Sequence, residues 1–317
     1  MTTPPDPLLT TTPARVVVVG DPDERLAQEP SVPHRLDYVD DLDPAGVCPR
    51  DVVVVRWHPS AQADDTLDEL TALPASERPR LVVAGDIMED ALRGLIDRHG
   101  VVNVVGTRGP ANAIDLAVTV DKLLSNDLFG MGRYFQGDAQ VSQHVCREAA
   151  AREQAFAWAR GFAEGRGVNR RIVDLLMVVI DEMLTNALYN APTDERGRRP
   201  NANLPRTVNV EVDGGLPVEL ELRCDGRRIG ISTSDPFGSL EPEVVVASLR
   251  RCFERPVPRG ETGGAGLGLY LLFGALSHVV FNVARGRRTE VIGLIDITRG
   301  LRHLKTSPKS FNLFMER

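Results

Sequence analysis

The four cysteines, Cys48, Cys146, Cys224 and Cys252, lie far apart with no C-x-x-C spacing. That excludes a zinc motif and a disulfide framework as organisers of the chain. Positive charge is not in excess: 37 Lys and Arg stand against 44 Asp and Glu, a net charge of −7. A nucleic-acid binder would usually be basic, so no nucleic-acid partner is expected. The basic clusters Arg196-Gly197-Arg198-Arg199 and Arg285-Gly286-Arg287-Arg288 flank turn signals and read as solvated loops. Residues Met1 to Pro13 lack a charged n-region and an apolar h-region, and read as a Thr/Pro-rich disordered tail, not a signal peptide. The expected location is cytoplasmic. The stretch Thr262–Ala284 holds no Asp, Glu, Lys or Arg and is long enough to span a bilayer. It also holds Ser277, His278, Asn282 and several glycines, and its second half, Val279–Val283, reads as a strand, so no membrane segment is expected.

What is present suits two domains: 317 residues, 42% of them hydrophobic, are enough for two cores. Residues 14–125 alternate apolar runs (Arg15–Val19, Asp51–Val55, Arg80–Ala84 and Val101–Val105) with helical stretches such as Ala63–Leu73 and Met88–His99. Continuous valine-rich runs suit parallel strands buried on both faces, and the alternation predicts a small doubly wound α/β domain. Helix Ala111–Leu124 closes it, and a connector over 126–141, with Phe129, Tyr134 and Phe135, packs against a neighbour.

In element order and size this half resembles the receiver domain of response regulators. Such domains carry a phosphoacceptor aspartate at the end of the third strand, where this chain has Arg56. Asp21 and Asp23 keep some acidity after the first strand, but no lysine follows the fifth. An arginine cannot accept a phosphoryl group and repels Mg²⁺. The half therefore reads as a pseudo-receiver used for docking or for dimerisation into a homodimer.

From 142 to 300 the grammar changes. Helix Ser142–Glu164 is expected first, then Arg170–Asn190 with Asn169 as its N-cap. Period-two alternation follows in Thr207–Val212 and Val218–Arg223, with further strands at Ile229–Thr233 and Val291–Ile297. Helices on one side of an antiparallel sheet predict an α+β two-layer sandwich.

Three local patterns carry chemistry. On helix 170–190, Asn186 falls within the apolar arc of Leu175, Val179, Met183 and Ala187, with Glu182 at its edge. Glu182 and Asn186 are i and i+4, hence neighbours. A buried amide beside a carboxylate needs partners. The pair reads either as a polar network or as a Mg²⁺ ligand (Asn186) beside a carboxylate that orients a nucleophile. Asp235 ends a strand before a turn, and reads either as an ordinary turn aspartate or as a carboxylate that accepts a hydrogen bond from an exocyclic amine. Gly263-Gly264-Ala265-Gly266-Leu267-Gly268-Leu269 precedes an apolar stretch. It reads either as tight packing or as a loop whose bare backbone and helix N-terminus cradle phosphate.

In this order the patterns resemble the GHKL, or histidine-kinase-like, ATPase superfamily over roughly residues 140–298. That family includes histidine-kinase catalytic domains, gyrase-type enzymes and the anti-sigma-factor serine kinases. The resemblance implies ATP and Mg²⁺ as cofactors, with Glu182 as general base and Asn186 on the metal. It puts Asp235 on the adenine amine, Gly238 in the turn that follows, and Gly264, Gly266, Leu267 and Gly268 at the phosphates, with Thr289 nearby. The family's glycine two residues after the aspartate is here Phe237, with Gly238 after it, so the turn must differ. Residues 239–262 would be a nucleotide lid.

His144 lacks the acidic neighbour of a histidine-kinase phosphoacceptor. A helix directly before the Asn186 helix resembles the anti-sigma kinases instead, which implies a sigma-factor-like or anti-anti-sigma-like partner. Two readings stay open: a Ser/Thr kinase or slow ATPase, and a nucleotide-gated interaction switch without turnover. The tail, 301–317, with Phe311-Asn312-Leu313-Phe314, adds an edge strand or docks on the connector.

Overall fold

The structure is a computed structural model. It describes residues 14–20, 36–58, 61–107, 111–194, 196–212, 216–254, 272–298, 300, 304 and 306–317. It is a mixed α/β protein built on one large mixed sheet.

The N-terminal half contributes β1 (Val16–Val19), β2 (Leu36–Val39), β3 (Val52–Trp57), β4 (Arg80–Gly85) and β5 (Asn103–Gly106), with α1 (Ala61–Ala72), α2 (Glu89–His99) and α3 (Ala111–Ser125). The strands run parallel in the order β2-β1-β3-β4-β5, an order found in doubly wound sheets. The valine runs explain it. Val17, Val19, Val53 and Val55 face one core and Val16, Val18, Val52 and Val54 the other. Helices α1 and α2 cover the first face through Leu67, Leu70, Leu92, Leu95 and Ile96, and α3 covers the second through Leu116, Val120 and Leu123.

The C-terminal half contributes β6 (Gln140–Cys146), α4 (Arg152–Glu164), α5 (Arg170–Thr185), β7 (Val218–Cys224), β8 (Arg228–Asp235), α6 (Pro242–Glu254), β9 (His278–Ala284), β10 (Arg288–Asp296) and β11 (Ser310–Met315). Strands β9-β10-β8-β7-β6 are antiparallel. Strand β11 joins the halves, antiparallel to β5 and parallel to β9, making one sheet of 11 strands. The tail is therefore a central strand, neither an edge strand nor a docked segment. Phe311 and Leu313 are buried in the first core and Phe314 in the second, so layers cover both faces of the strand. Helices α4, α5 and α6 share the first face with α1 and α2.

Two expected elements differ. Residues 140–146 form an edge strand on β7, not the start of a helix. Ser142 and His144 turn towards α4, where Trp158 Nε1 donates to Ser142 Oγ at 2.9 Å and the His144 and Trp158 rings stack at 5.2 Å. The run Ala149-Ala150-Ala151 extends the helical signal backwards over a strand that pairing secures. Residues 207–212 make only a bridge between Glu211 and Glu148, with Ala149 N donating to Val210 O and Val212 N to Arg147 O, each at 2.9 Å. They pair with the chain after β6, not with the next strand.

No helix among the described residues is long and apolar enough to cross a membrane. Val279–Val283 lies within strand β9, as expected.

Candidate functional site

Helix α5 begins where its sequence directs. The Asn169 side chain accepts from Arg171 N at 3.0 Å, and Ile172, Val173, Leu176, Val179, Ile180, Met183 and Leu184 form its buried face. Leu175 is only partly buried. At the C-terminal end the helix widens into a π-turn, Asn186–Asn190, closed by Ala191 N donating to Asn186 O at 2.8 Å. Such turns inside helices are frequent at functional sites.

Glu182 and Asn186 stand on this helix end, both partly buried. Asn186 Nδ2 donates to Glu182 Oε1 at 2.9 Å, and Asn190 Nδ2 donates to Asn186 Oδ1 at 2.8 Å. Burial pushes the Glu182 carboxyl above its ordinary value, while the Asn186 hydrogen bond and the charges of Arg206 and Arg152 pull the other way. Arg152 pairs with Asp181, and Arg206 lies 4.5 Å above the Tyr189 ring. The result is a carboxylate more basic than usual with two cations near it.

Asp235 ends β8, is 6% exposed and stands opposite Thr289 of β10. Phe237 N donates to its Oδ1 at 3.0 Å. Burial pushes its carboxyl up to about 6, against the pull of hydrogen bonds from the backbone of Phe237, Gly238 and Thr289. Thr233 lies two residues earlier on the same strand, hence on the same face. It is 3% exposed, and its hydroxyl has no hydrogen-bond partner among the described residues. Its sheet neighbours are Leu220 and Val291, which offer none. This is the α5 side of the sheet: Ile229 and Ile231 of the same row lie in the first core. In the Thr289 row, a Cβ on Gly293 would meet Leu276 Cδ1 at 2.6 Å and Met183 Cε at 3.2 Å. Helix and sheet approach each other closely there.

Gly238 has φ +58°, and a Cβ on it would lie 2.1 Å from Ala284 O. Gly286 N donates to Gly238 O at 3.1 Å. The glycine is required where the turn after Asp235 presses on the β9–β10 hairpin. Next to it Ser239 Oγ donates to Ala191 O at 2.6 Å and Arg199 donates to Ser239 O at 2.9 Å. Ser239 thus ties the Asp235 turn to the π-turn bearing Asn186. A cleft lined by Gly238, Ser239, Leu240, Glu241, Glu243 and Arg285 opens beside it.

Glu182, Asn186, Asp235, Gly238 and Thr289 are therefore gathered at one corner between α5 and the ends of β8 and β10. Gly264, Gly266, Leu267 and Gly268 lie outside the described residues. After them, residues 272–275 are helical and bury Leu272, Phe273 and Ala275 in the core. Within the span expected as a lid, α6 packs through Val245 and Leu249, and Arg250 Nε donates to Asp97 of α2 at 2.8 Å.

Thr233 and Asn190 lie beside the expected site residues and were not among them. Each had a positional signal, two residues before Asp235 on a strand and four after Asn186 on a helix. In the other half, a Cβ on Gly20 would lie 2.8 Å from Arg56 Cβ, so Arg56 packs where β1 and β3 end side by side.

No protein-family model matches the chain, and no curated protein matches it.

Proposed function

We propose that this chain is an ATP- and Mg²⁺-binding signalling regulator of the GHKL ATPase type, resembling the anti-sigma serine kinases. In this reading it acts through a sigma-factor-like or anti-anti-sigma-like protein partner. The observation that carries the reading is the polar row on the α5 face of the sheet. Asp235 and Thr289 are buried opposite each other, with the Thr233 hydroxyl beside them unsatisfied. Buried polar groups are normally paired, and this row offers the edge of a purine a carboxylate and hydroxyls.

The donor set fits Mg²⁺. Asn186 Oδ1 accepts one hydrogen bond and keeps a second lone pair. Mg²⁺ usually takes one or two protein oxygens and completes its shell with water and phosphate. Among the described residues no group of three or more His, Cys, Asp or Glu could hold a metal, so a metal at Asn186 would draw most of its oxygens from phosphate and water. When bound, it would neutralise phosphate charge during transfer. Glu182 is the base: burial raises its carboxyl and makes it a stronger base than an ordinary glutamate. Asp235 accepts from the adenine amine in its ionised form, which prevails above its pKa of about 6.

A second reading, a nucleotide-gated switch without turnover, draws on two departures: the Asp235 turn built with Phe237 before Gly238, and Arg56 in the receiver-like half. Glu182→Gln separates the two. If the chain is a kinase or ATPase, the variant keeps ATP binding and loses release or transfer of the γ-phosphate. If it is a switch, neither protein turns ATP over. Equal, measurable turnover by both would overturn the base assignment.

A further inference from the structure

The hydrogen bonds along the helix end run in one direction: Asn190 Nδ2 to Asn186 Oδ1 at 2.8 Å, then Asn186 Nδ2 to Glu182 Oε1 at 2.9 Å. A carboxylate only accepts, so Glu182 obliges Asn186 to turn its NH₂ towards it. The Asn186 oxygen then points the other way along the ridge, where the Asn190 amide meets it. We propose that Asn190 is a positioning residue that holds the Asn186 carboxamide with its oxygen presented for Mg²⁺, and through Asn186 steadies Glu182. This rests on the reading of Asn186 as the metal ligand.

The π-turn supports the role. Asn186 and Asn190 are its first and last residues, and its closing bond from Ala191 N to Asn186 O ties their backbones together. Ala191 O is in turn held by the Ser239 hydroxyl, so the segment bearing Asn190 is anchored to the Asp235 turn. Asn190 is partly buried, and its amide, bonded to Asn186 Oδ1, would act on a metal through Asn186. Groups that orient a metal ligand in this way typically alter metal affinity about 10- to 100-fold when removed.

The test is calorimetric titration of ATP into the full chain over a series of Mg²⁺ concentrations, for wild type, Asn190→Ala and Asn190→Asp. Asp keeps the shape of Asn and replaces the donor with an acceptor. Both variants are expected to need about 10-fold more Mg²⁺ or above to reach the wild-type ATP affinity, with unchanged affinity for metal-free ATP and unchanged melting temperature. Wild-type Mg²⁺ dependence in both variants overturns the role of Asn190 while leaving the ATP site standing. An equal loss of affinity with and without Mg²⁺ also overturns it, because Asn190 would then only support the fold. If wild type binds no ATP, the site reading fails and this inference fails with it.

Discussion

Arg228 of β8 donates to Asp115 of α3 at 2.7 Å, and both side chains are buried. The pair spans the two halves of the chain. His278 Nδ1 of β9 lies 3.2 Å from the other Asp115 oxygen, and His278 Nε2 lies 2.6 Å from Asn312 Oδ1 of β11. Nearby, Lys122 donates to Asn282 at 3.1 Å, and Asn282 to Glu290 at 2.8 Å. A polar layer therefore lies under α3 where the sheet passes from one half to the other.

Removing one partner of a buried ion pair costs about 3–5 kcal/mol because the other charge stays buried. Asp115→Asn is expected to lose stability on that scale. The two tryptophans, Trp57 and Trp158, lie one in each half. In denaturant their fluorescence changes should coincide in both proteins. Separate midpoints in wild type would show that the halves unfold independently.

The same pair sets an acid limit. Burial alone would raise the Asp115 carboxyl, but Arg228 and His278 outweigh it and hold it at about 2, below its ordinary value of 3.8. A lowered carboxylate contributes stability that is present above the unfolded value and lost as pH falls through the folded one. Wild-type stability should therefore drop between about pH 4 and pH 2, and Asp115→Asn should drop less there. Parallel acid unfolding curves would contradict this.

Strand β11 fills a slot between β5 and β9. Truncation after Lys309 is expected to bare two strand edges, which template aggregation, and to remove the buried Phe311 and Phe314. Size-exclusion chromatography should show loss of the wild-type species, and an unchanged elution profile would argue against a structural role for the tail.

Asp235 lowers stability at the proposed nucleotide site. Its carboxyl is raised to about 6 from 3.8, so the native state favours the proton. The penalty is absent below about pH 4, grows as pH rises and is complete above about pH 6. Asp235→Asn should be more stable than wild type at pH 7.5, by up to about 3 kcal/mol, with the advantage gone at pH 4 and ATP affinity reduced. Lower stability of the variant at pH 7.5 would refute the assignment.

Thr233→Val replaces an unsatisfied buried hydroxyl by an isosteric methyl. Leaving such a group unpaired costs about 1–3 kcal/mol, so thermal stability should hold or rise. If the hydroxyl serves the nucleotide, ATP affinity should fall about 5- to 10-fold, the worth of one hydrogen bond of roughly 1 kcal/mol or slightly more. Unchanged affinity would remove Thr233 from the site.

Much of the frame was legible in the residues. The valine runs of β1 and β3 announce strands buried on both faces, and the Asn169 cap with its apolar stripe marks α5. The Glu182–Asn186 spacing places the two side chains together, as the 2.9 Å contact bears out. Pairing between distant segments was not legible. Asn312 of β11 meets Asn103 across 209 residues, and no local pattern encodes so remote a neighbour. Strand β6 was hidden because its short alternation adjoins an alanine run. Asn190 was hidden because an exposed-looking amide at a helix end is common, and its meaning comes from the π-turn.

The most direct test of the proposed ATP site is calorimetry of ATP with Mg²⁺ on wild type and on Asn186→Ala. The ATP-site reading predicts saturable Mg²⁺-dependent binding by wild type that is weakened at least about 10-fold in the variant. No binding by wild type, or equal binding by both proteins, would contradict it.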